Sequence, residues 1–459
     1  MSPEETMTAL NKKSLIVAAL LLGLFASGDS LQKARTEKAP ERAASAIRRT
    51  IHSFDGGLPL QTKGPRYAPG QLLVRFKPSV STQFVNATLA AYGTEKIKRI
   101  SQLNLYQVRI PDWVSVEEMA YAISQNPEVM SAGPNYAARI AVTPNDPLFR
   151  YQYALNNTGQ DVGPPGSPSG KASADIKAPA GWEETKGTAE TVIAIIDSGI
   201  DFEHPDLKNK IISPGHDFAN DDGDATDDNG HGTYVAGIAA ADTNNNEGIA
   251  GVGWNCKILP VKVTDAEGSA WYDDLIDGIL WAADNGAHVI NLSLGGEESD
   301  DSLRDALKYA HDKGVVIAAS AGNDDAAVFY PAAYDAYCLA VAATDYDDAR
   351  ASYSCYGPEV DVAAPGEWVL STYPTTMVDL NEYLPYIWGN GTSSSAPHVA
   401  GLAGLIKGLK PWLTVDEIMD VIRFSSEDVN SEEHSGKDQY IGYGRINMEK
   451  ALVPIKLSK

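Results

Sequence analysis

Three short segments, far apart in the chain, carry side chains that together could cleave an acyl bond. Val192–Ile200 reads VIAIIDSGI and ends an apolar run on Asp197. Asn229–Gly237 reads NGHGTYVAG and sets His231 between two glycines. Gly389–Gly401 reads GNGTSSSAPHVAG and lines up Ser393, Ser394 and Ser395 ahead of small residues able to enter a helix. An acid, an imidazole and a hydroxyl suit nucleophilic catalysis: the imidazole takes the hydroxyl proton and the acid holds the imidazole tautomer. A nucleophile at a helix start also has unpaired backbone N–H groups beside it, which can face a developing oxyanion. Each segment alone has a plainer reading, since Ser/Thr runs and acids after strands commonly cap turns and helices. Composition does not choose among the three serines.

The segments around these groups alternate between strand and helix signals. Continuous apolar runs at 192–197, 256–263, 289–294, 314–320 and 337–343 read as strands buried on both faces. Helical patterns at 270–285 and 302–313 lie between them, with others at 174–187 and 414–425. Such alternation predicts an α/β architecture with a mostly parallel central sheet and functional groups at the carboxyl ends of its strands. Asp197 stands at such an end. Ahead of this body, residues 66–140 read as a smaller α/β unit, with strands at 70–76, 103–111 and 129–132 and helices at 81–92 and 114–124.

The order Asp, His, Ser and the wording of the three segments closely resemble the subtilisin-like serine proteases, over about residues 145–452. The resemblance implies a three-layer subtilisin-like catalytic domain at 141–459 preceded by a propeptide at 66–140. In that family the propeptide assists folding, which suits a slow-folding parallel sheet, and its tail fills the substrate cleft. Pro134–Ile140 would be that tail, with cleavage near 138–145. The implied activity is a serine endopeptidase with Ser393 as nucleophile, His231 as proton carrier and Asp197 as its orienting acid. Asn323, in SAGND, matches the family's oxyanion donor; a neutral amide can donate without titrating. Two positions depart from the family pattern: Tyr234 stands where a second histidine is usual, and Ser394 where many relatives carry methionine. The competing readings are a narrow-specificity processing peptidase and a noncatalytic peptide-binding relative. The intact triad and Asn323 argue against the latter. A lipase-like hydrolase would run in the order Ser, acid, His.

By the same resemblance, Ser293, Leu294 and Gly295 pair with extended substrate backbone and line the first specificity pocket. Ser320, Ala321 and Gly322 supply another wall, and Phe329 lies near the base. Pairing to main chain serves many peptide sequences, and a broad, apolar preference is expected. Asp146, Asp206 and Asn245 match ligand positions of a common subtilase calcium site, to which Thr243, Glu247 and Ile249 would add carbonyls. Mixed oxygen donors suit Ca²⁺. A second candidate is Asp217 with Asp222, although Asn220 replaces an acid found in some relatives. Calcium would stabilise the fold without entering acyl transfer.

Composition sets the outer bounds. The 459 residues are 43 % hydrophobic, enough for a substantial core. Residues 1–140 hold 17 Lys/Arg against 11 Asp/Glu, and residues 141–459 hold 20 against 50, giving nets of +6 and −30. So acidic a body argues against a nucleic-acid surface. Protein or peptide substrates and the chain's own propeptide are the expected partners, and a monomer the expected state. Three cysteines, Cys256, Cys338 and Cys355, are too few for a disulfide framework, and a Cys338–Cys355 bridge is left open. Lys12 and Lys13 precede an apolar run, Leu15–Ala26, so 1–28 reads as a secretory signal and 29–65 as a polar linker. A secreted protein is expected, with the cell envelope or periplasm as the alternative.

Ser394 leaves no oxidisable thioether beside the nucleophile. Mild peroxide is therefore expected to leave peptidase activity intact. Rapid stoichiometric loss traced to this position would contradict the reading.

Overall fold

The computed structural model describes residues 67–136, 142–164, 166–378 and 384–453. The expected signal and linker, and residues 137–141 around the expected cleavage segment, lie outside them. The chain divides into two compact units, Met1–Ile140 and Ala141–Lys459.

In the first unit, Leu72, Val74 and Phe76 alternate along β1 (Tyr67–Phe76) and are fully buried. That is the period-two pattern of a strand with one covered face. They pack with Val85 and Leu89 of α1 (Thr82–Ala91) and with Met119 and Ile123 of α2 (Val116–Ser124). Serines start both helices. Ser81 Oγ accepts from Phe84 N, and Ser115 forms a capping box with Glu118. With β2 (Glu95–Ile100), β3 (Leu105–Arg109) and β4 (Val129–Tyr136) the sheet is antiparallel, ordered β2-β3-β1-β4. β2 has no counterpart in the sequence reading. Its EKIKRI segment is exposed along most of its length, so no apolar face marks it. Charge of this kind protects an edge strand from further pairing. β4 runs through Tyr136, so Pro134 and Asn135 of the expected tail belong to a strand.

Strand β5 (Val192–Asp197) shows how the second unit is built. Ile193 and Ile195 enter one apolar core; Val192, Ala194 and Ile196 enter the other. Both faces are thus covered, and the strand stays apolar until Asp197. Around it lie β6 (His216–Asp217), β7 (Lys257–Lys262), β8 (Val289–Leu292), β9 (Val316–Ser320), β10 (Leu339–Thr344) and β11 (Val360–Pro365). The order is β11-β10-β9-β8-β5-β7-β6, with neighbouring strands parallel. One face packs α3 (Ala178–Glu184), α4 (His231–Ala240), α7 (Thr392–Leu409), α8 (Val415–Ser425) and α9 (Met448–Leu452). The other packs α5 (Tyr272–Asp284) and α6 (Asp301–Asp312). Each fully buried Ile, Leu or Val contributes about 1.5–3 kcal/mol to this three-layer core.

Further elements go beyond the sequence reading, the two-residue β6 among them. β11 was masked by Asp361, a charge inside a buried strand. Its carboxylate accepts from Arg423 Nε at 2.8 Å and from Ala340 N at 3.0 Å, which offsets the cost of burying it. A short antiparallel pair, β12 (Val369–Thr372) with β13 (Tyr386–Gly389), was also unanticipated; it leads into the serine segment. All three cysteines are buried and free, so Cys338 and Cys355 are not bridged. Among the described residues no helix is long and apolar enough to cross a membrane.

Candidate active site

Asp197, the last residue of β5, is 1 % exposed. Its Oδ1 accepts from Ser198 N and from His231 Nδ1, both at 2.8 Å. Its Oδ2 is buried with no hydrogen-bond partner among the described residues, so little else dilutes its charge. A carboxylate only accepts, so Nδ1 carries the proton and Nε2 of the neutral ring is free to act as base. His231 opens α4. Gly230 has φ 103°, and a Cβ on Gly232 would lie 2.1 Å from Gly199 O. The two glycines let this helix start meet the end of β5. Burial disfavours the imidazolium, but the Asp197 charge and hydrogen bond, with Asp227 behind them, outweigh it and raise the His231 pKa above its ordinary value.

Asp227 was not singled out in the sequence. One of its oxygens accepts from Ser198 Oγ, Asn229 N and Gly230 N, and the other from Thr233 N and Oγ1. It fixes the loop that delivers His231. The available signal was an acid just ahead of a glycine-rich helix start. Lys262, 1 % exposed, donates to Ser198 O at 3.0 Å and to Asp228, holding the turn after Asp197 from below.

Ser393 is the second residue of α7, after Gly391 at φ 143°. Ser394 and Ser395 are fully buried; their hydroxyls meet Tyr234 Oη at 2.9 Å and Ala364 O at 2.8 Å. Ser393 is partly open. A Cβ on Gly391 would lie 2.9 Å from Ser393 Oγ and 3.4 Å from Asn323 Nδ2, so both border the space that this glycine leaves. Thr392 N and Oγ1 donate to Asn323 Oδ1 at 2.8 and 3.0 Å, which turns the amide so that Nδ2 is the free donor. The Ser393 N–H has no partner among the described residues. These two donors flank one hydroxyl, as oxyanion stabilisation requires.

A further tie was missed in the sequence. Pro397, four residues after Ser393, has no N–H to offer the Ser393 carbonyl. Ser293 Oγ donates to it instead at 3.0 Å and accepts from Asn291 Nδ2 at 2.9 Å. The signal was the proline itself, standing inside a helix at this offset.

Asp197, His231 and Asn323 open on a cleft of ≈ 400 Å³. Ser293, Leu294, Gly295, Ser320, Gly322 and Phe329 line it, together with Asp197, His231 and Asn323. Ala321, expected in the wall, is fully buried instead; its carbonyl accepts from Phe329 N at 2.9 Å, so it sets the ring rather than touching the cleft. Ser198, Asn229, Thr264, Glu267, Gly268 and Asp324 complete the lining.

Of the expected cation ligands, Asp146 and Asp206 are 4 % and 0 % exposed, and neither pairs with Lys or Arg among the described residues. Asn245 links them: its N donates to Asp146 Oδ1 at 3.1 Å and its Nδ2 to Asp206 Oδ1 at 2.9 Å. Burial pushes the Asp206 carboxyl up to about 6, against three hydrogen bonds and with help from the Asp146 charge. Burial raises Asp146 as well. Two buried acids without a cation, beside an amide and loop carbonyls, fit a hard divalent ion. Among the described residues no three His, Cys, Asp or Glu side chains are grouped for a metal, so carbonyls from Thr243, Glu247 and Ile249 would have to complete the set. Asn244 and Asn246 take φ 65° and 63°, which explains the asparagine run of this loop. Asp217 and Asp222 form a backbone bridge, but their carboxylates serve separate turns. Asn220 N and Nδ2 cap Asp217, and Asp224 N donates to Asp222.

An acid, an imidazole and a hydroxyl gathered at the carboxyl edge of a parallel sheet, with paired amide donors, define a serine peptidase. The Subtilase family matches residues 188–444, and the Fervidolysin N-terminal prodomain matches residues 59–135. The chain belongs to the subtilase family and is a serine endopeptidase with an N-terminal prodomain. It is 39 % identical to the Thermophilic serine proteinase of Bacillus sp. (strain AK1), over 84 % of this chain and 88 % of that one. It is 41 % identical to Thermitase of Thermoactinomyces vulgaris, over 68 % of this chain and 99 % of the relative. Among solved structures it resembles a protease of Pseudoalteromonas arctica PAMC 21717, with a TM-score of 0.57 and 32 % identity, covering 68 % of this chain and 99 % of that one.

The raised His231 pKa has a sign for catalysis. The base must be neutral, and Asp197 favours the protonated ring, so activity is lost as pH falls through a value above the ordinary histidine range. The acid limb of kcat/KM is expected to have its midpoint above about 6.5. A midpoint at or below that value would contradict the assignment of the limb to the Asp197–His231 pair.

Proposed function

We propose that this endopeptidase acts outside the cell, on unfolded or extended protein segments, through an acyl-enzyme. Ser393 Oγ attacks the peptide carbonyl while His231 Nε2 takes its proton. The Ser393 N–H and Asn323 Nδ2 receive the oxyanion. The C–N bond breaks as His231 returns the proton to the leaving amine, and water repeats the sequence to release the acid. The observation that carries this reading is the 2.8 Å contact of the buried Asp197 carboxylate with His231, with the Asn323 amide turned donor-outward beside Ser393. Leu294 and Phe329 favour apolar side chains in the first pocket, and exposed glycine backbone at Gly295 suits extended chains. Residues 66–140 act as a propeptide that is cleaved near 138–145, and 141–459 form the mature enzyme. The apolar run at 15–26 and the relatedness to bacterial subtilisins support export.

Calcium would be held by Asp146, Asp206 and Asn245 with carbonyls of Thr243, Glu247 and Ile249. When bound it neutralises two buried carboxylates and ties the loop to the body, with no part in acyl transfer. At a calcium concentration ~100 times Kd, such linkage adds about 2.7 kcal/mol to stability. A chelator is expected to lower the unfolding temperature of the mature enzyme, and calcium to restore it. An unfolding temperature indifferent to both would remove calcium from this reading.

The activity is tested by incubating secreted wild-type and Ser393→Ala protein with unfolded casein, following casein fragments and the enzyme's own N-terminus. Cleavage by wild type, with loss of cleavage and retention of the prodomain in the variant, is the expected outcome. A mature wild-type protein inert on casein and on a diverse peptide library would point to narrow processing or to peptide binding without catalysis.

A further inference from the structure

The two departures from the family pattern, Tyr234 and Ser394, lie 160 positions apart in the chain and meet in one contact. Tyr234 is on α4, one turn after His231; Ser394 directly follows Ser393 in the first turn of α7. Tyr234 Oη lies 2.9 Å from Ser394 Oγ and 2.9 Å from Val369 O, and both side chains are buried. A carbonyl only accepts, so the single phenol proton goes to Val369 and the Ser394 hydroxyl donates to Tyr234. The directions are therefore fixed: Ser394 Oγ–H to Tyr234 Oη, and Tyr234 Oη–H to Val369 O.

This chain of two bonds joins three elements. Val369 opens β12 and pairs with Gly389, the last residue of β13 before the Gly391 turn. A Cβ on Gly389 would lie 2.6 Å from Tyr234 Oη, so that backbone is glycine because the phenol passes against it. Ser394 is also gripped through its carbonyl, which accepts from His398 Nδ1 at 2.8 Å. Other ties from α4, Ser371 Oγ to Tyr234 O and Thr372 Oγ1 to Thr233 O, reach β12 alone. The phenol contact is the polar link, among the described residues, from the helix of the base to the helix of the nucleophile.

We propose that Tyr234 and Ser394 form a positioning pair, which sets the first turn of α7, and so Ser393 Oγ and its N–H, against His231 and the oxyanion space. The inference rests on the assignment of Ser393 and His231 given above. The pair touches neither substrate nor the reacting atoms. Its effect is on the alignment of the chemical step, where a displacement of about 1 Å can cost ~10²-fold in rate. A partial loosening of one turn should cost less.

The test compares mature wild type, Tyr234→Phe, Ser394→Ala and the double variant, each matured in trans by a trace of wild type and normalised by serine-directed active-site titration. kcat and KM on a peptide substrate and the unfolding temperature are measured. Each single variant is expected to lose about tenfold in kcat with KM within about twofold, and the double variant to lose no more than the worse single. Unchanged kcat with a lowered unfolding temperature would reduce the pair to packing. Losses that multiply in the double variant would show two independent residues. Ser394→Ala leaves the Tyr234–Val369 bond in place, so it decides alone if Tyr234→Phe fails to fold: an unchanged kcat there overturns the proposal. Ser393→Ala, matured by a tagged wild type that is then removed, separates the two levels, because residual peptidase activity in that variant would overturn the nucleophile assignment and not the pair.

Discussion

One buried carboxylate sets the terms for the site. Asp197 can hold the His231 ring at 2.8 Å because it ends a strand that is apolar on both faces and has no freedom to move. Burying that charge is costly unless it is paired and hydrogen-bonded. The surroundings supply the offset through Ser198 N, the imidazole itself and the Asp227 loop that brings the imidazole there. The glycines on either side of His231 follow from the same demand, since any Cβ at Gly232 would meet the Gly199 carbonyl. The raised pKa of the ring is the electrostatic face of this arrangement, and the fixed tautomer its geometric one.

The nucleophile is held by a different device. A serine at the start of a helix has free N–H groups beside it, but helix ends also fray, and an oxyanion site cannot. Here the first turn of α7 is bound from several sides by groups that would otherwise be orphaned. Thr392 turns the Asn323 amide outward while accepting from Gly322 N. Pro397 releases the Ser393 carbonyl, and Ser293 takes it up. Tyr353 Oη accepts from Gly391 N at 3.0 Å and donates to Gly366 O at 2.7 Å. Each bond contributes modestly to stability, about 0.5–1.5 kcal/mol net. Together they fix one geometry, and that is the larger requirement at a site where rate depends on alignment.

Much of this was legible in the sequence, and the limits have physical causes. The buried strands announced themselves because a two-face core leaves no room for polar residues, so VIAIID and its counterparts could be read directly. The three catalytic segments were legible because close backbone approach demands glycine at particular positions. β2 was hidden because an edge strand needs no apolar face. β11 was hidden because Asp361 is offset by Arg423, which lies on α8 and 62 positions away. Ala321 was misassigned to the pocket wall because membership of a lining segment does not say which way a residue faces.

The residues that sequence reading could not connect share one property: each satisfies a partner on a different element. Ser293 and Tyr234 do not announce these roles locally, because the carbonyl or hydroxyl each meets is brought to it only by the packed sheet, and Asp227 adds to its local bonds one from Ser198 Oγ, 29 positions away. A departure from a family pattern, read one position at a time, looks like tolerance. Read in three dimensions, Tyr234 and Ser394 complete each other's hydrogen bonding in a place where an unpaired hydroxyl would cost about 1–3 kcal/mol. Losing the Tyr234 hydroxyl would take away the acceptor of the buried Ser394 Oγ–H, whereas losing Ser394 would leave the phenol its bond to Val369 O, so the serine depends on the tyrosine more than the reverse.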